Sequence, residues 1–271
     1  MILLNGKELQ FTTFPNGETK FDDETINEIV WTMDFCNVEV KYESDTDLIR
    51  LMFLKKHIDK VPRQAILTMK YFPYSRMDRS VDNSVFTLKY VAEFINDLNF
   101  YKVNVVESHS DVTTALLNRV RNFDTISKEL AYQIMLNFKL QPRQTCIYFP
   151  DATAEKRYGK FFPEMKLLKG LKHRNFKTGE IESLEIIGGM DLSDYDVIMV
   201  DDLCSRGNTF YYGALELEKL GAKNMYLAVT HCEDTIEKGK LLDMDCIRQI
   251  YTTDSLLTID HPKLHVVTRH V

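Results

Sequence analysis

The sequence lacks any apolar run that approaches the roughly 20 residues of a membrane-spanning helix. Its beginning, MILLNGKELQ, contains neither the basic stretch nor the long apolar stretch of a secretion signal. We therefore expect a cytoplasmic protein that has no membrane partner.

Cysteine is scarce, and none of the five cysteines forms a CxxC pair. Because their number is odd and no metal-binding spacing occurs, we expect neither a disulfide framework nor a zinc site. Two of them, Cys204 and Cys232, flank the segment discussed below. Both are interpreted as small packing residues rather than as nucleophiles.

An excess of positive charge is also missing, since 34 Lys and Arg stand against 40 Asp and Glu, for a net charge of −6. This balance argues against nucleic acid as a partner of the whole surface, although it leaves room for local basic patches. With 44% hydrophobic and 27% charged residues, the composition is that of an ordinary globular protein.

The 271 residues suffice for one large domain or for two of about 100–150 residues each. Five short apolar runs are predicted as buried strands: Ala65–Phe72, Val103–Val106, Thr145–Phe149, Val197–Val200 and Met225–Thr230. Three segments between them carry apolar residues at helical spacing: Asp47–Ile58, Thr87–Leu98 and Thr209–Leu220. This alternation predicts an α/β fold with mostly parallel sheets. The polar stretch 137–145, which contains a proline, resembles a link and predicts a domain boundary near residue 140.

The segment VIMVDDLCSRGNT places two carboxylates at the end of a predicted buried strand and before a predicted helix. In open α/β sheets, ligands bind beyond the carboxyl ends of the strands. Main-chain N–H groups of such a loop, together with the start of the helix, can hold a phosphate. Asp201 and Asp202 would suit ribose hydroxyls, which donate hydrogen bonds to carboxylates. The alternative is a solvated turn that ends the strand.

The stretch VDDLCSRGNT resembles the phosphoribosyl-binding loop of type I phosphoribosyltransferases and of ribose-phosphate pyrophosphokinases. Further stretches resemble motifs of the second family, in its order and over roughly residues 14–255: FPNGE, FPYSRMDRS, ESHSD, FPDATAEKR and LAVTHCE. On these motifs the chain is identified as a divergent and shortened member of the ribose-phosphate pyrophosphokinases. The resemblance implies two phosphoribosyltransferase-type domains, residues 1–140 on the ATP side and residues 141–271 with the ribose-phosphate loop. It also implies a homo-oligomer, a dimer or higher.

The chain departs from the family pattern at several positions. Ser205 and Arg206 stand where the family usually has Asp-Thr, and Asn208 stands in place of a Gly. Met77 replaces a Gln on the ATP side. The sequence also begins close to FPNGE and ends at HPKLHVVTRHV, without the end segments usual in the family.

The reaction implied by the resemblance is a Mg²⁺-dependent transfer of the pyrophosphoryl group of ATP to the C1 hydroxyl of ribose 5-phosphate. Its products are phosphoribosyl pyrophosphate and AMP, which places the protein in nucleotide biosynthesis. The implied ATP-binding residues are Phe14, Asn16, Glu18, Arg76 and His109. The implied Mg²⁺ ligands are His109 and Asp151, of which the carboxylate is the better chemical match.

Each of these ATP-side motifs has a simpler reading. FPNGE is also a tight turn, because Asn-Gly favours hairpins. Asp78 and Arg79 are equally consistent with a surface ion pair. His109 at a strand end is also consistent with a structural or solvent-exposed histidine.

The stretch KGLKHRNFKTGE, residues 169–180, resembles the flexible catalytic loop of the family. Lys172 and Arg174 fit the spacing of its Lys-x-Arg pair and would stabilise charge on the transferring group and the leaving AMP. Lys169 is a rival for the lysine, and a solvated hairpin with a routine charge run is the alternative. The ribose phosphate would be bound by Asp201, Asp202, Ser205, Arg206, Gly207, Asn208 and Thr209.

Other functions remain open at this point. The change from Asp to Ser205, together with Arg206, favours tolerance of a substituted 5-phosphate. The acceptor would then be ADP-ribose, and the product would serve in rebuilding NAD. A phosphoribosyltransferase or a non-catalytic regulatory homologue is a further alternative, although the ATP-side motifs and the basic stretch argue against both.

Overall fold

In a computed structural model, the structure describes residues 1–80, 83–174 and 181–268, and the side chains of 172–174 and 181–183 lie outside that description. The chain divides into two compact units, Met1–Asp124 and a second one that begins at Thr125. The predicted boundary lay near residue 140, and a helix over Ile126–Phe138 occupies the interval between the two positions. Its residues Ile126, Leu130 and Ile134 are buried.

The first unit is built on a sheet with helices beside it. Its elements are β1 (Ile2–Leu4), β2 (Lys7–Glu8), β3 (Thr12–Thr13), β4 (Thr19–Lys20), α1 (Asp23–Val30), β5 (Phe35–Val40), α2 (Asp45–Ile58), β6 (Gln64–Met69), α3 (Thr87–Asp97), β7 (Lys102–Val106), α4 (Asp111–Leu116) and β8 (Val120–Phe123). The sheet order is β2-β1-β5-β6-β7-β8, with β5 to β8 parallel and β1 antiparallel to β2 and β5. Strands β3 and β4 form a separate antiparallel pair.

Helix α2 shows why these segments fold as the sequence predicts. The Asp47 carboxylate accepts a hydrogen bond from the Ser44 main-chain N–H (3.1 Å), which satisfies a donor at the start of the helix. Leu51, Leu54 and Ile58 recur at helical spacing and are fully buried against the sheet core of this unit.

The second unit carries a larger sheet. Its elements are α5 (Ile126–Phe138), β9 (Thr145–Phe149), α6 (Ala152–Tyr158), β10 (Lys166–Arg174), β11 (Ile181–Ile187), β12 (Asp196–Cys204), α7 (Asn208–Lys219), β13 (Asn224–Cys232), β14 (Ile247–Thr253) and β15 (Leu264–Val267). The order is β11-β10-β9-β12-β13-β14-β15, and all neighbours are parallel except β10 and β11. The predicted α/β class with mostly parallel sheets is confirmed.

The stretch expected to be a flexible catalytic loop begins as regular structure. Lys169, Lys172 and Arg174 lie on β10, which pairs with β11 in a ladder that runs from Lys169 opposite Ile187 to Arg174 opposite Ile181. The expectation of a loop is therefore wrong up to Arg174, because antiparallel pairing with β11, the next strand in the chain, orders β10, which agrees with the hairpin alternative. Residues 175–180 of that stretch lie outside the described residues.

Among the described residues, no helix combines the length and the apolar character needed to cross a membrane. Each of the five cysteines lies within the described ranges, is buried and is without a disulfide bond.

Candidate active site

Three neighbouring strands of the second sheet end at the same edge. Strand β12 lies between β9 and β13 and is parallel to both. The chain beyond β9 carries Asp151, the end of β12 carries Asp201 and Asp202, and the chain beyond β13 carries Glu233. Because carboxyl ends of parallel strands meet at one edge, this part of the sheet gathers acidic side chains.

The carboxylates of Asp201 and Asp202 have different surroundings. Asp202 is buried, and its Oδ2 lies 3.7 Å from Nη1 of Arg157 on α6. Burial raises the pKa of the Asp201 carboxyl well above its usual range, and the negative charges of Asp202 and Asp151 raise this pKa further. Hydroxyl donors or a cation next to Asp201 would therefore stabilise its charged form.

Asp151 also has a structural role. It precedes α6, and its Oδ1 accepts hydrogen bonds from the main-chain N–H groups of Thr153 and Ala154, both at 3.1 Å. These two donors have no partner within the first turn of a helix, so the carboxylate caps α6. Its role as a helix cap therefore fixes the position of Asp151. From that position Asp151 adds a negative charge to the cluster that includes Asp201 and Asp202.

The segment Ser205–Thr209 leads from β12 into the first turn of α7, and close contacts constrain the path of its main chain. Gly207 adopts a left-handed conformation with φ of +74°, and a Cβ there would lie 3.0 Å from a methyl carbon of Leu241. A Cβ at Gly239 would overlap the carbonyl oxygen of Arg206. These close contacts make both glycines necessary and fix the path of the loop.

Helix α7 begins at this loop in a way that suits an anion. Gly207 is the residue before the first turn, and it has no side chain that could accept hydrogen bonds from the N–H groups there. Main-chain donors at the start of a helix bind phosphate well. The Thr209 side chain, in that first turn, is partly exposed, and Asn208 and Arg206 are exposed.

Two cysteines lie beside this loop, as the sequence indicated. Cys204 and Cys232 are opposite each other in the β12–β13 ladder, and both are buried. A contact with Cys232 and burial raise the pKa of the Cys204 thiol well above its usual range. A thiol held in its neutral form is a poor nucleophile.

Lys169, one of two candidates for the catalytic lysine, makes an ion pair within the second unit. Its Nζ lies 2.6 Å from Oε2 of Glu155 on α6. The next residue must be a glycine, because a Cβ at Gly170 would lie 2.5 Å from the hydroxyl oxygen of Tyr148. Lys172 and Arg174 share the strand with Lys169, but the structure describes only their backbone.

The FPNGE motif in the first unit forms the turn between β3 and β4. Phe14 N–H donates to the carbonyl of Glu18 (2.8 Å), and Gly17 has a φ of +89°. Glu18 N–H also donates to the Asn16 side chain (3.2 Å). The turn expected from Asn-Gly is thus present, and it exposes 51% of Phe14, which leaves the ring accessible to a ligand.

The other two ATP-side motifs meet within the first unit. The Asp78 carboxylate accepts two hydrogen bonds from Arg79 (2.7 and 3.0 Å) and one from the Ser110 hydroxyl (2.6 Å). The Arg79 hydrogen bonds lower the pKa of Asp78 to about 2, with smaller contributions from Ser110 and His109. His109 and Arg76 are exposed. The predicted Asp78–Arg79 ion pair exists, and it also joins FPYSRMDRS to ESHSD.

Several residues of this site were not found from the sequence. Arg157, Glu233, Thr235 and Ser127 contact the predicted residues from other elements, and Ser110 contacts Asp78. Arg157 and Glu233 belong to motifs that were recognised, FPDATAEKR and LAVTHCE, so the motifs themselves carried a signal. The Ser127 contact spans 74 residues and has no sequence signal.

No protein-family model matches the chain. Curated relatives include a ribose-phosphate pyrophosphokinase of Bradyrhizobium diazoefficiens, 25% identical over 205 residues, which cover 73% of this chain and 62% of the relative. Another, from Saccharolobus solfataricus, is 26% identical over 233 residues, 80% of this chain and 74% of the relative. A third, from Mycoplasmopsis pulmonis, is 22% identical over 95% of this chain and 80% of the relative. The chain thus spans less than two thirds of the first of these.

The fold is also that of a solved structure. The phosphoribosylpyrophosphate synthetase of Mycobacterium smegmatis superposes with a TM-score of 0.69 over 96% of this chain and 85% of that one, at 18% identity. This likeness confirms the predicted fold class of two phosphoribosyltransferase-type domains.

Proposed function

The chain is a divergent relative of the ribose-phosphate pyrophosphokinases, and on that basis we propose that it transfers the pyrophosphoryl group of ATP to the C1 hydroxyl of ribose 5-phosphate. The observation that carries the proposal is the edge of the second sheet. There the carboxylates of Asp201 and Asp202 precede a closely packed loop and the start of α7, whose first N–H groups lack a side-chain cap. Carboxylates suit sugar hydroxyls, and the helix start suits the 5-phosphate.

In the proposed reaction, the C1 hydroxyl oxygen attacks the β-phosphorus of ATP. The bond from that phosphorus to the oxygen bridging the α- and β-phosphates breaks, and AMP leaves with this oxygen. The hydroxyl proton passes to solvent. Such transfers depend on positioning and on charge neutralisation more than on covalent help from the protein.

Each group of residues has a role in this scheme. Asp201 and Asp202 orient the ribose through its 2- and 3-hydroxyls. The segment Ser205–Thr209 holds the 5-phosphate. Lys172 and Arg174 stabilise the negative charge that develops on the transferring group and on AMP. The adenine stacks on Phe14 and contacts Asn16 and Glu18, while Arg76 and His109 serve the triphosphate.

The donor set on the second sheet fits Mg²⁺. Asp151 and Asp201 supply carboxylate oxygens, and a cation would offset the burial and the negative charges of Asp202 and Asp151 that raise the pKa of Asp201. Within residues 1–80, 83–174 and 181–268, no three His, Cys, Asp or Glu side chains form a metal-binding group. Mg²⁺ commonly takes one or two carboxylates, with substrate phosphates and waters as its other ligands. When bound, Mg²⁺ would neutralise charge on the ATP oxygens. On the ATP side, His109 is the residue proposed to hold Mg²⁺.

A second acceptor, ADP-ribose, is favoured by one observation at the loop. The Ser205 hydroxyl, at a position where the family has an aspartate, donates to the carboxylate of Glu233, and the Arg206 side chain is exposed. The same chemistry on ADP-ribose would give a 1-pyrophosphorylated ADP-ribose, a compound suited to rebuilding NAD. We propose that the protein is cytoplasmic and forms a homo-oligomer, whichever acceptor it uses.

The test incubates the purified chain with ATP, MgCl₂ and one acceptor at a time, either ribose 5-phosphate or ADP-ribose. AMP is quantified by chromatography, and the sugar product is identified by ³¹P NMR. We expect equal amounts of AMP and sugar pyrophosphate. Release of ADP, or no AMP with either acceptor, would refute the proposed reaction. AMP with ribose 5-phosphate and none with ADP-ribose would remove the second acceptor.

Paired variants link the activity to the site. We expect Asp201→Asn to lower kcat/KM for the acceptor by about 100-fold, the scale of losing one group that orients the substrate. Asp243→Asn removes the same charge from an exposed position of the same unit and should leave kcat/KM unchanged. Equal effects of the two variants would move the ribose site elsewhere.

A further inference from the structure

Glu233 is fixed beside the first residue of the Ser205–Thr209 loop. Its Oε2 accepts a hydrogen bond from the Ser205 hydroxyl (2.6 Å) and another from the Thr235 hydroxyl (3.0 Å). The hydroxyls of Ser205 and Thr235 lie 3.1 Å apart. The main-chain N–H of Glu233 donates to the carbonyl of Cys204 (2.9 Å). These bonds hold the carboxylate in one place.

The chain that follows Glu233 supports the rest of the loop. A short 3₁₀ helix, Asp234–Lys238, leads to Gly239, which packs against the carbonyl of Arg206. Leu241 packs against Gly207. The segment from Glu233 to Leu241 therefore contacts three consecutive residues of the loop, and a substitution at Glu233 changes the charge next to the loop while these other contacts keep its path.

A fixed negative charge at this position opposes an anion bound by the loop. A terminal sugar phosphate, as a phosphomonoester, carries a charge of about −1.5 to −2 near pH 7. A 5-phosphate esterified on a second oxygen carries a single charge. Because the repulsion scales with the charge of the ligand, the carboxylate of Glu233 penalises the terminal phosphate more.

We propose that Glu233 is a specificity-determining residue, whose carboxylate shifts the preference of the loop from a terminal 5-phosphate towards an esterified one. The inference rests on the proposed function, since it requires that Ser205–Thr209 bind the 5-phosphate. It concerns the ratio of the two affinities and holds whichever ligand binds more tightly in absolute terms. The chemical class so favoured is a ribose whose 5-phosphate is part of a diester or a diphosphate.

The test measures binding without the reaction. Calorimetry on the full chain, with no ATP, gives Kd for ribose 5-phosphate and for ribose 5-(methyl phosphate), which differ in one methyl group and one charge. We compare the wild type with Glu233→Gln, in which the amide oxygen can still accept the Ser205 hydrogen bond. Glu237→Gln is the matched control, because it removes the same charge from an exposed position of the 3₁₀ helix.

We expect Glu233→Gln to lower the Kd for ribose 5-phosphate by about fivefold to tenfold and the Kd for the methyl ester by less than about twofold. This is the size of effect that one nearby charge has at a solvent-accessible site. Glu237→Gln should change both values little and equally. In the wild type, the Kd for ribose 5-phosphate divided by the Kd for the methyl ester should also fall as salt rises from 50 mM to 500 mM. The reason is that salt screens the carboxylate of Glu233.

Each contrary outcome has a separate meaning. If the wild type binds neither ligand, the proposed function fails and the inference fails with it. If the wild type binds both but Glu233→Gln leaves the ratio unchanged or weakens both, only the role of Glu233 is refuted. If Glu233→Gln does not fold, Glu233→Ala replaces it, because it also removes the charge, and an unchanged ratio of the two Kd values would contradict the role of Glu233.

Discussion

The hydroxyl of Ser127, near the start of α5, donates a 2.7 Å hydrogen bond to the main-chain carbonyl of Asp201, 74 residues later in the chain. The same oxygen accepts the main-chain N–H of Thr230 (3.1 Å) and lies 2.9 Å from the Thr230 hydroxyl. Ser127 is fully buried. One side chain of α5 therefore joins the ends of β12 and β13 at the point where the proposed ribose site begins.

We expect Ser127→Ala to lower the free energy of unfolding by about 1–3 kcal/mol, because it removes a buried hydroxyl that accepts a hydrogen bond from Thr230 and donates one to Asp201. It should also raise KM for the acceptor more than it lowers kcat, since the position of Asp201 depends on this contact. Urea denaturation and steady-state kinetics measure the two effects. Ser193→Ala, which removes an exposed hydroxyl in the same unit, should change stability by less than about 0.5 kcal/mol. Equal effects of both variants would contradict the role of Ser127.

Lys172→Ala is expected to lower kcat by at least about 100-fold, as for the loss of one electrostatic stabiliser of the transition state. Lys166→Ala is the control on the same strand, because Lys166 already donates to Tyr195 (2.9 Å) away from the proposed chemistry. Rapid-quench or steady-state AMP formation measures kcat. An unchanged kcat in Lys172→Ala would transfer the role to Lys169, whose ion pair with Glu155 would then have to open.

Asp151→Asn separates the charge of this side chain from its structural role. Asn caps helices about as well as Asp, so the bonds to Thr153 and Ala154 should persist and stability should change little. The loss of a carboxylate should raise the Mg²⁺ concentration needed for half-maximal activity. A Mg²⁺ titration identical to that of the wild type would exclude Asp151 as a ligand.

The hydrogen bonds of Asp78 predict a pH dependence in the first unit. Because Arg79 lowers the pKa of Asp78 to about 2 in the folded protein, the charged carboxylate stabilises the fold above its unfolded pKa of about 4. That stabilisation is lost as the pH falls through about 2. The difference in thermal stability between the wild type and Asp78→Asn should therefore be constant from pH 5 to 7 and shrink below about pH 4. A constant difference at every pH would show that the folded pKa is not lowered.

Much of the architecture could be predicted because its signals are local. Buried parallel strands such as β9 and β12 are continuous apolar runs, and α2 and α3 carry apolar residues at helical spacing. Helix α5 also has buried residues at helical spacing, yet it lies partly within the stretch that was interpreted as a link. The signal for α5 was present and was outweighed by the polar residues and the proline that follow it.

The features that were least predictable follow from pairing between segments. Strand β10 is rich in lysine and has no apolar alternation of its own, so its parallel ladder with β9 and its antiparallel ladder with β11, which the hairpin alternative allowed for, make it a strand. The contact between Ser205 and Glu233 spans 28 residues, and that between Asp78 and Ser110 spans 32. The motifs located the candidate residues, but the hydrogen bonds among them follow from the tertiary fold.

The close contact between the carbonyl of Arg206 and Gly239 has a consequence for how this site can change over generations. The path of the loop depends on main-chain atoms and on two glycines, whereas the Arg206 side chain is exposed and does not take part in that packing. A mutation at position 206 can therefore alter the charge offered to a ligand at little cost to folding, while a mutation at Gly239 cannot. Selection for a new acceptor has an accessible position at which to act, next to one that must stay constant.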